Sequence, residues 1–328
     1  MMRTFSLKCK VITPLFMGGA NQQAELRTQS INGLLRWWFR IAGGSIEDEK
    51  RLFGWAGEKS NQGLVRIFIK EPPFQPQEFS PKQAGYNYLG FSLKLTKRKS
   101  FPENQTFEIS ISFHPKANEE DIKKFFCALW LAFNLGNFGS RSRRGFGSIR
   151  IKEIKIKKIK EDGKEDYEDI TNNCYGLNFT PSGDLVTWIN KNLNEIKKVL
   201  NQPRKDIPNL FDNFEIYIFG INNDWQNLLN QAGQKYQSFR KKKPRNERIV
   251  FGLPIVKYIN LRRSSPLMFK ILEVDKDKYV LLLIVMKPNK RKFIFHPQEQ
   301  DHPIKNNLNW DLLSDFVRGL NKIYPKEV

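Results

Sequence analysis

Histidine and cysteine are scarce in this chain, with three of each among 328 residues. Cys9, Cys127 and Cys174 are far apart and odd in number, which excludes a disulfide framework or a zinc-ligand spacing and suits a reducing cytoplasm. Metal-free cleavage of RNA needs a base for the 2′-hydroxyl proton, and histidine is the usual choice. Here His114, His296 and His302 each stand before a proline, outside the first helical segment, and read as structural or surface residues. Acids are also short, 34 against 55 lysines and arginines. Those near the basic motifs, Glu25 and residues 47–49, do not converge as a metal site would, so no metal is expected. No Gly-x4-Gly-Lys-Ser/Thr run is present to cradle a nucleotide, and no cofactor is expected. Long apolar runs are missing too. Residues 279–286 form the most apolar stretch, far below the ~20 residues of a membrane span. Residues 1–10 mix charged and apolar side chains, so no secretory signal is expected.

What the chain has is positive charge, a formal net of +21. That balance points to a polyanionic partner, nucleic acid above all. Three arginines sit between three glycines in Gly139-Ser-Arg-Ser-Arg-Arg-Gly-Phe-Gly147. Glycine permits positive φ and close backbone approach. Successive amides in such a loop form an anion-binding concavity. The forks of Arg141, Arg143 and Arg144 match phosphate oxygens. Gly139, Gly145, Gly147 and the three arginines are therefore expected to bind RNA. The competing reading is a tight turn with solvated arginines.

Periodicity places these residues in a mixed α and β chain. Residues 4–12 alternate as a half-buried strand. Ser30 and Asn32 offer caps to a helix over residues 31–41, stopped by Gly43 and Gly44. Strands are predicted at residues 64–69, 91–96, 106–113 and 149–159. The last has a bulge near Lys152 and a lysine-rich face that discourages edge pairing. Residues 118–135 read as a strong helix, and 161–169 as an exposed connection. The second half is expected to hold helices at 183–200 (capped by Ser182), 225–239 and 308–323. It is also expected to hold a strand at 214–219 and a hairpin of residues 267–274 and 279–286. The order β–α–β–β–α–β is ferredoxin-like. The expected fold class is α+β, with two tandem ferredoxin-like (RRM-like) domains of antiparallel sheets, residues 1–160 and 161–328.

Three further constellations carry charge or close-approach backbone. Arg36 and Arg40 lie four apart on one helix face and repel unless an anion bridges them. That anion is RNA, a partner, or a carboxylate of this chain such as Glu25. Gly18 and Gly19 follow the first strand, and topology lets Arg27 join the Arg141–Arg144 group. Lys241, Lys242 and Lys243 fall in a second basic loop, residues 240–248, without glycine; it suits a flexible electrostatic contact. Trp37 reads as core or interface rather than a base-stacking platform.

Several of these segments are shared with a known family. Thr13-Pro-Leu-Phe-Met-Gly-Gly19, Ser30-Ile-Asn-Gly-Leu-Leu-Arg-Trp-Trp-Phe-Arg40 and the Gly139–Gly147 loop resemble the RAMP superfamily. So do Phe251-Gly-Leu-Pro-Ile255 and Arg262-Arg-Ser-Ser-Pro266. Together they resemble the head subunits of the type III-B CRISPR (Cmr) effector complex. The resemblance implies tandem ferredoxin-like domains and a place at the end of a ribonucleoprotein filament. It also implies single-stranded RNA as ligand, either the 3′ part of the guide or captured target, and other Cmr subunits as partners. The expected function is non-catalytic RNA binding. A guide-processing endoribonuclease and an end subunit that binds only protein are the alternatives.

Overall fold

The computed structural model describes residues 3–19, 23–57, 60–70, 75–93, 95–159, 164–205, 207–252, 264–287 and 308–325. His296, His302, Leu253, Pro254, Ile255, Arg262 and Arg263 lie outside the described residues.

The first half opens with β1 (Arg3–Val11), whose Phe5, Leu7, Cys9 and Val11 are fully buried, as the alternation requires. Helices α1 (Thr28–Ile41) and α2 (Ile46–Phe53) lead to β2 (Val65–Ile69). An excursion follows, made of β3 (Gln77–Glu78), α3 (Ala84–Leu89) and β4 (Lys99–Ser100). Then come β5 (Thr106–Phe113), α4 (Glu119–Asn134), β6 (Ile149–Ile159) and β7 (Glu165–Asp169). These strands form one antiparallel sheet in the order β2-β5-β1-β6-β7. The bulge expected in β6 is present: Lys8 faces Glu153 while Cys9 faces Ile151, leaving Lys152 over.

Five expectations are corrected by the fold. The described residues of 91–96 form no strand. Residues 91–93, 95 and 96 form turns after α3, with Ser92 at φ 79° and Lys97 at φ 46°. The alternation of Phe91, Leu93 and Leu95 misled, because only Leu93 is buried. Residues 165–169, expected as connection, form β7. Its acids meet the lysines of β6 through Lys157–Glu165 and Lys158–Glu168 pairs, so the lysine face invites an acidic neighbour instead of repelling every strand. Helix α1 begins at Thr28, with Arg27 at its N-cap, rather than after Ser30 or Asn32.

The second half begins with α5 (Leu185–Val199), capped by Asp184 and not by Ser182. Next come α6 (Leu210–Asn213), β8 (Phe214–Asn222) and α7 (Trp225–Lys241). The expected hairpin is β9 (Leu267–Asp275) and β10 (Lys278–Met286). The terminal helix is the fifth correction. It is only α8 (Asp311–Val317), because Gly319 at φ 80° turns the chain into β11 (Asn321–Tyr324). This sheet runs β11-β8-β10-β9, again antiparallel. Counted by their place in the chain, the first four strands of the first sheet (β3 and β4 aside) and all four of the second are ordered fourth, first, third, second.

Helix α4 is the pillar of the molecule. A capping box of Asn118 and Asp121 starts it, and Arg51 donates to both oxygens of Asp121 at 2.8 and 2.9 Å. From Phe125 to Asn134 every side chain is buried, since α1, α5 and the first sheet surround it. The same apolar cluster takes in Phe214, Ile216, Met268 and Leu282 of the second sheet. The halves therefore share a core. A second cluster joins Phe16 and Phe146 to Tyr86 of α3 and to Trp225, Leu229 and Tyr236 of α7. There α3 and α7 meet backbone to backbone, since a Cβ on Gly85 or Gly233 would lie 2.0–2.1 Å from the other helix's carbonyls.

Candidate functional site

The Gly139–Gly147 loop and the loop after β1 fold onto each other. Thr13 is buried; its hydroxyl donates to Gly145 O at 2.8 Å and accepts from Ser148 N at 2.9 Å. Gly147 N donates to Pro14 O at 3.0 Å, and Ser140 N to Phe16 O at 2.7 Å. This contact is why glycine stands at 139, and the loop's return onto Phe138 is why it stands at 147. Both have φ near +75°, and a Cβ would lie 2.4 Å from Phe16 O or 1.9 Å from Phe138 O.

Beside this junction opens a cleft of about 450 Å³. Met17 and Gly18 form one wall, Ser30, Gly33, Leu34 and Trp37 of α1 a second, and Asn137, Gly139, Ser140 and Ser142 a third, with Arg98 at its edge. Three sequence motifs thus converge on one concavity. Arg98 is the charged residue of the lining, and no carboxylate lines it among the described residues. Trp37 is half-buried, with the Arg143 guanidinium 5.2 Å from its ring centroid.

None of the three loop arginines lines the cleft, and none meets a carboxylate among the described residues. Arg141, itself left-handed at φ 59°, donates to Phe91 O and to Ser92 Oγ. Arg143 donates to Ser265 O. Arg144 reaches Ser265 Oγ at 3.2 Å and Phe251 O at 3.1 Å, and lies 4.7 Å from the Tyr236 ring centroid. Burial, with the neighbouring Arg144 charge adding to it, pushes Arg143 down to about 10, still protonated at neutral pH. Arg143 and Arg144 therefore spend donors on the second half of the chain. Gly145 is held by packing on Leu229. Gly19 follows Gly18 half-buried, and Arg27 stands 3.9 Å from Glu25.

Arg36 and Arg40 have an internal anion, but it is Glu49 and not Glu25. Arg36 Nε donates to Glu49 Oε1 at 2.8 Å and Arg40 Nε to Oε2 at 2.8 Å; Arg204 adds a third fork at 2.8 Å. Burial alone would raise this carboxyl, yet the hydrogen bonds from Arg40, Arg204 and Arg36 win and hold it at about 2. Lys241 ends α7, two residues further than expected, and Lys242 follows at its C-cap; both are exposed, whereas Lys243 lies 5.3 Å over Phe239. None of the three lines the cleft. His114 follows β5 and is exposed, its Nδ1 accepting from Lys116 N at 3.2 Å, and it lines a separate pocket.

Sequence reasoning placed Gly18 and Gly139 at the site, gave Ser30 only a helix-capping role, and assigned no site role to Arg98, Gly33 or Asn137. Asn137 follows a helix end as an ordinary loop residue would. In the fold its amide donates to Ser142 O and Phe269 O, fixing the loop to β9. Lys270 was also passed over. It is fully buried in β9, its Nζ donating to Phe133 O and Gly136 O at 2.7 Å each. The described residues contain no group of three metal-ligating side chains and no helix long and apolar enough to cross a membrane.

Comparison with known proteins adds a lineage to this geometry. The RAMP superfamily profile matches residues 8–150. The chain is 28% identical over 336 aligned residues to the CRISPR system Cmr subunit Cmr1-1 of Pyrococcus furiosus, covering 95% of this chain and 93% of that protein. It is 30% identical over 180 residues to Cmr1-2 of the same organism, covering 44% of this chain and 94% of the relative. The crystal structure of Cmr1 from Pyrococcus furiosus in its apo form superposes with a TM-score of 0.67 at 25% identity, over 98% of both chains. A chain of the Type III-B Cmr-beta cryo-EM structure, bound to cognate target RNA and AMPPnP in the presence of ssDNA, shares the fold. Its TM-score is 0.59 at 14% identity, with 97% and 98% of the two chains covered. With a shared superfamily core, a relative matched over nearly its whole length and a common fold, the chain belongs to the RAMP superfamily, in the family of the Cmr1 subunits of CRISPR Cmr systems.

Proposed function

We propose that this chain is a non-catalytic RNA-binding subunit of a type III-B CRISPR Cmr complex. It holds single-stranded RNA, the 3′ part of the guide or captured target, in the cleft between the loop after β1, α1 and the Gly139–Gly147 loop. The observation that carries this reading is the convergence of those three segments on one concavity with a cation and no carboxylate in its described lining. Close-approach backbone at Gly18 and Gly139, hydroxyls at Ser30, Ser140 and Ser142, and the Arg98 guanidinium suit a sugar–phosphate chain. Arg141 flanks this surface, while Arg27, Arg36, Arg40 and Lys241–Lys243 are proposed as outlying contacts to RNA or to neighbouring Cmr subunits. The net charge of +21 draws the polyanion in.

The two sheets, each ordered fourth, first, third, second, support a tandem ferredoxin-like description. The proposed division is near residue 160. All strands of the second sheet lie beyond it, and β7 and α5 pack back on the first unit.

The test is binding of single-stranded RNA to the full chain across a salt series. If six to ten phosphates are neutralised, log K falls against log salt with a slope of about −4 to −7, and Arg98→Ala makes the slope shallower by about 0.7. A flat response would favour a subunit that binds only protein. Cutting of repeat RNA without metal, lost in His114→Ala, would favour an endoribonuclease.

A further inference from the structure

Gly33 has no reason within the fold to be glycine. It lies inside α1, where glycine is the least favourable residue after proline. Its φ is not positive, and a Cβ added there would meet nothing within 4 Å. The neighbouring glycines differ. Side chains at 136 or 139 would strike Trp38 or the Phe16 carbonyl at 2.4–2.6 Å. The space over Gly33 belongs to the cleft, and Trp37, four residues on, lies along the same face and lines the same cleft. Helix α1 thus presents a patch of bare backbone beside a half-buried indole, in a cleft that Gly139, Ser140 and Arg98 also line.

We infer that the Gly33–Trp37 face is a receptor for one unpaired nucleobase of single-stranded RNA. The base lies over the bare Gly33 backbone and against the indole, and its phosphate faces Arg98. The inference rests on the RNA-binding reading of the cleft and gives it a base-contacting subsite. An unpaired base offers a flat apolar ring joined to an anion, and the lining provides the counterpart of each. An acidic peptide would satisfy Arg98 but offer no flat ring to the open patch over Gly33. Base–aromatic contact is sequence-tolerant, so the subsite takes any base of a loop or strand end.

The test compares the full chain's affinity for a short oligouridylate and for the same backbone made abasic. The wild-type chain is expected to favour the base-bearing strand by about 5- to 100-fold. Gly33→Leu fills the patch while improving helix propensity. It is expected to erase that preference and melt no lower than wild type. Trp37→Leu should likewise erase the preference. Equal wild-type affinity for the two strands would overturn the base receptor and leave the RNA-binding cleft standing. Binding of neither strand would overturn both. A preference retained in a folded Gly33→Leu chain would place the base elsewhere.

Discussion

Glu49 shows how a buried charge organises a surface that looked ready for ligand. Arg36 and Arg40 were read as a cationic stripe in need of an anion, and the chain supplies one from α2. Spacing disclosed the repulsion between the arginines, but the identity of the anion depends on where α2 packs, which no local pattern encodes. Glu49→Gln would leave three guanidiniums without their buried partner. The expected cost is about 3–5 kcal/mol in urea unfolding, as for one member removed from a buried ion cluster. The pH sign follows from the folded carboxyl at about 2, below the ordinary glutamate value. Its contribution is complete above the unfolded pKa and is lost as pH falls from there through about 2. The wild-type chain should therefore lose stability over that acid window more steeply than Glu49→Gln.

Among elements, the helices and strands with one buried face were legible: β1, β5, α4, α7 and the β9–β10 hairpin fall where periodicity put them. Two of the misreadings share one cause. Residues 91–96 alternate like a strand but project Phe91 and Leu95 into solvent, and β7 is an all-exposed acidic strand with no apolar period to detect. Neither carries a signal that burial would write into sequence. Lys270 is the opposite case, a cation inside a strand that reads as apolar. Burial pushes it down to about 7. Between that value and the ordinary lysine range near 10.4, the unfolded chain holds a proton the folded chain has released. Stability is then expected to rise with pH across that window. Lys270→Met should flatten the rise, read as the shift in urea midpoint between pH 7 and 9.5. An unchanged shift would mean that Lys270 stays protonated, held by the Phe133 and Gly136 carbonyls.

At the level of the whole molecule, the two halves are bolted through the loop that sequence marked as a phosphate grip. Arg143 and Arg144 run to Ser265 and Phe251, Asn137 to Phe269, and Lys10 and Arg150 to Glu273, all across the chain midpoint. Glycine and arginine spacing revealed a loop needing positive φ and carrying cations. It could not reveal that two of the three guanidiniums face inward, because their acceptors are backbone carbonyls more than 100 residues away. The cleft beside them follows from that bolting, since it fixes the loop against α1. Photocrosslinking of single-stranded RNA to the full chain, with adducts mapped by mass spectrometry, addresses this directly. RNA held in the cleft yields adducts at Trp37, Met17 and the residues flanking Gly139. Adducts confined to the α7 end around Lys241–Lys243, with none in the cleft, would contradict it.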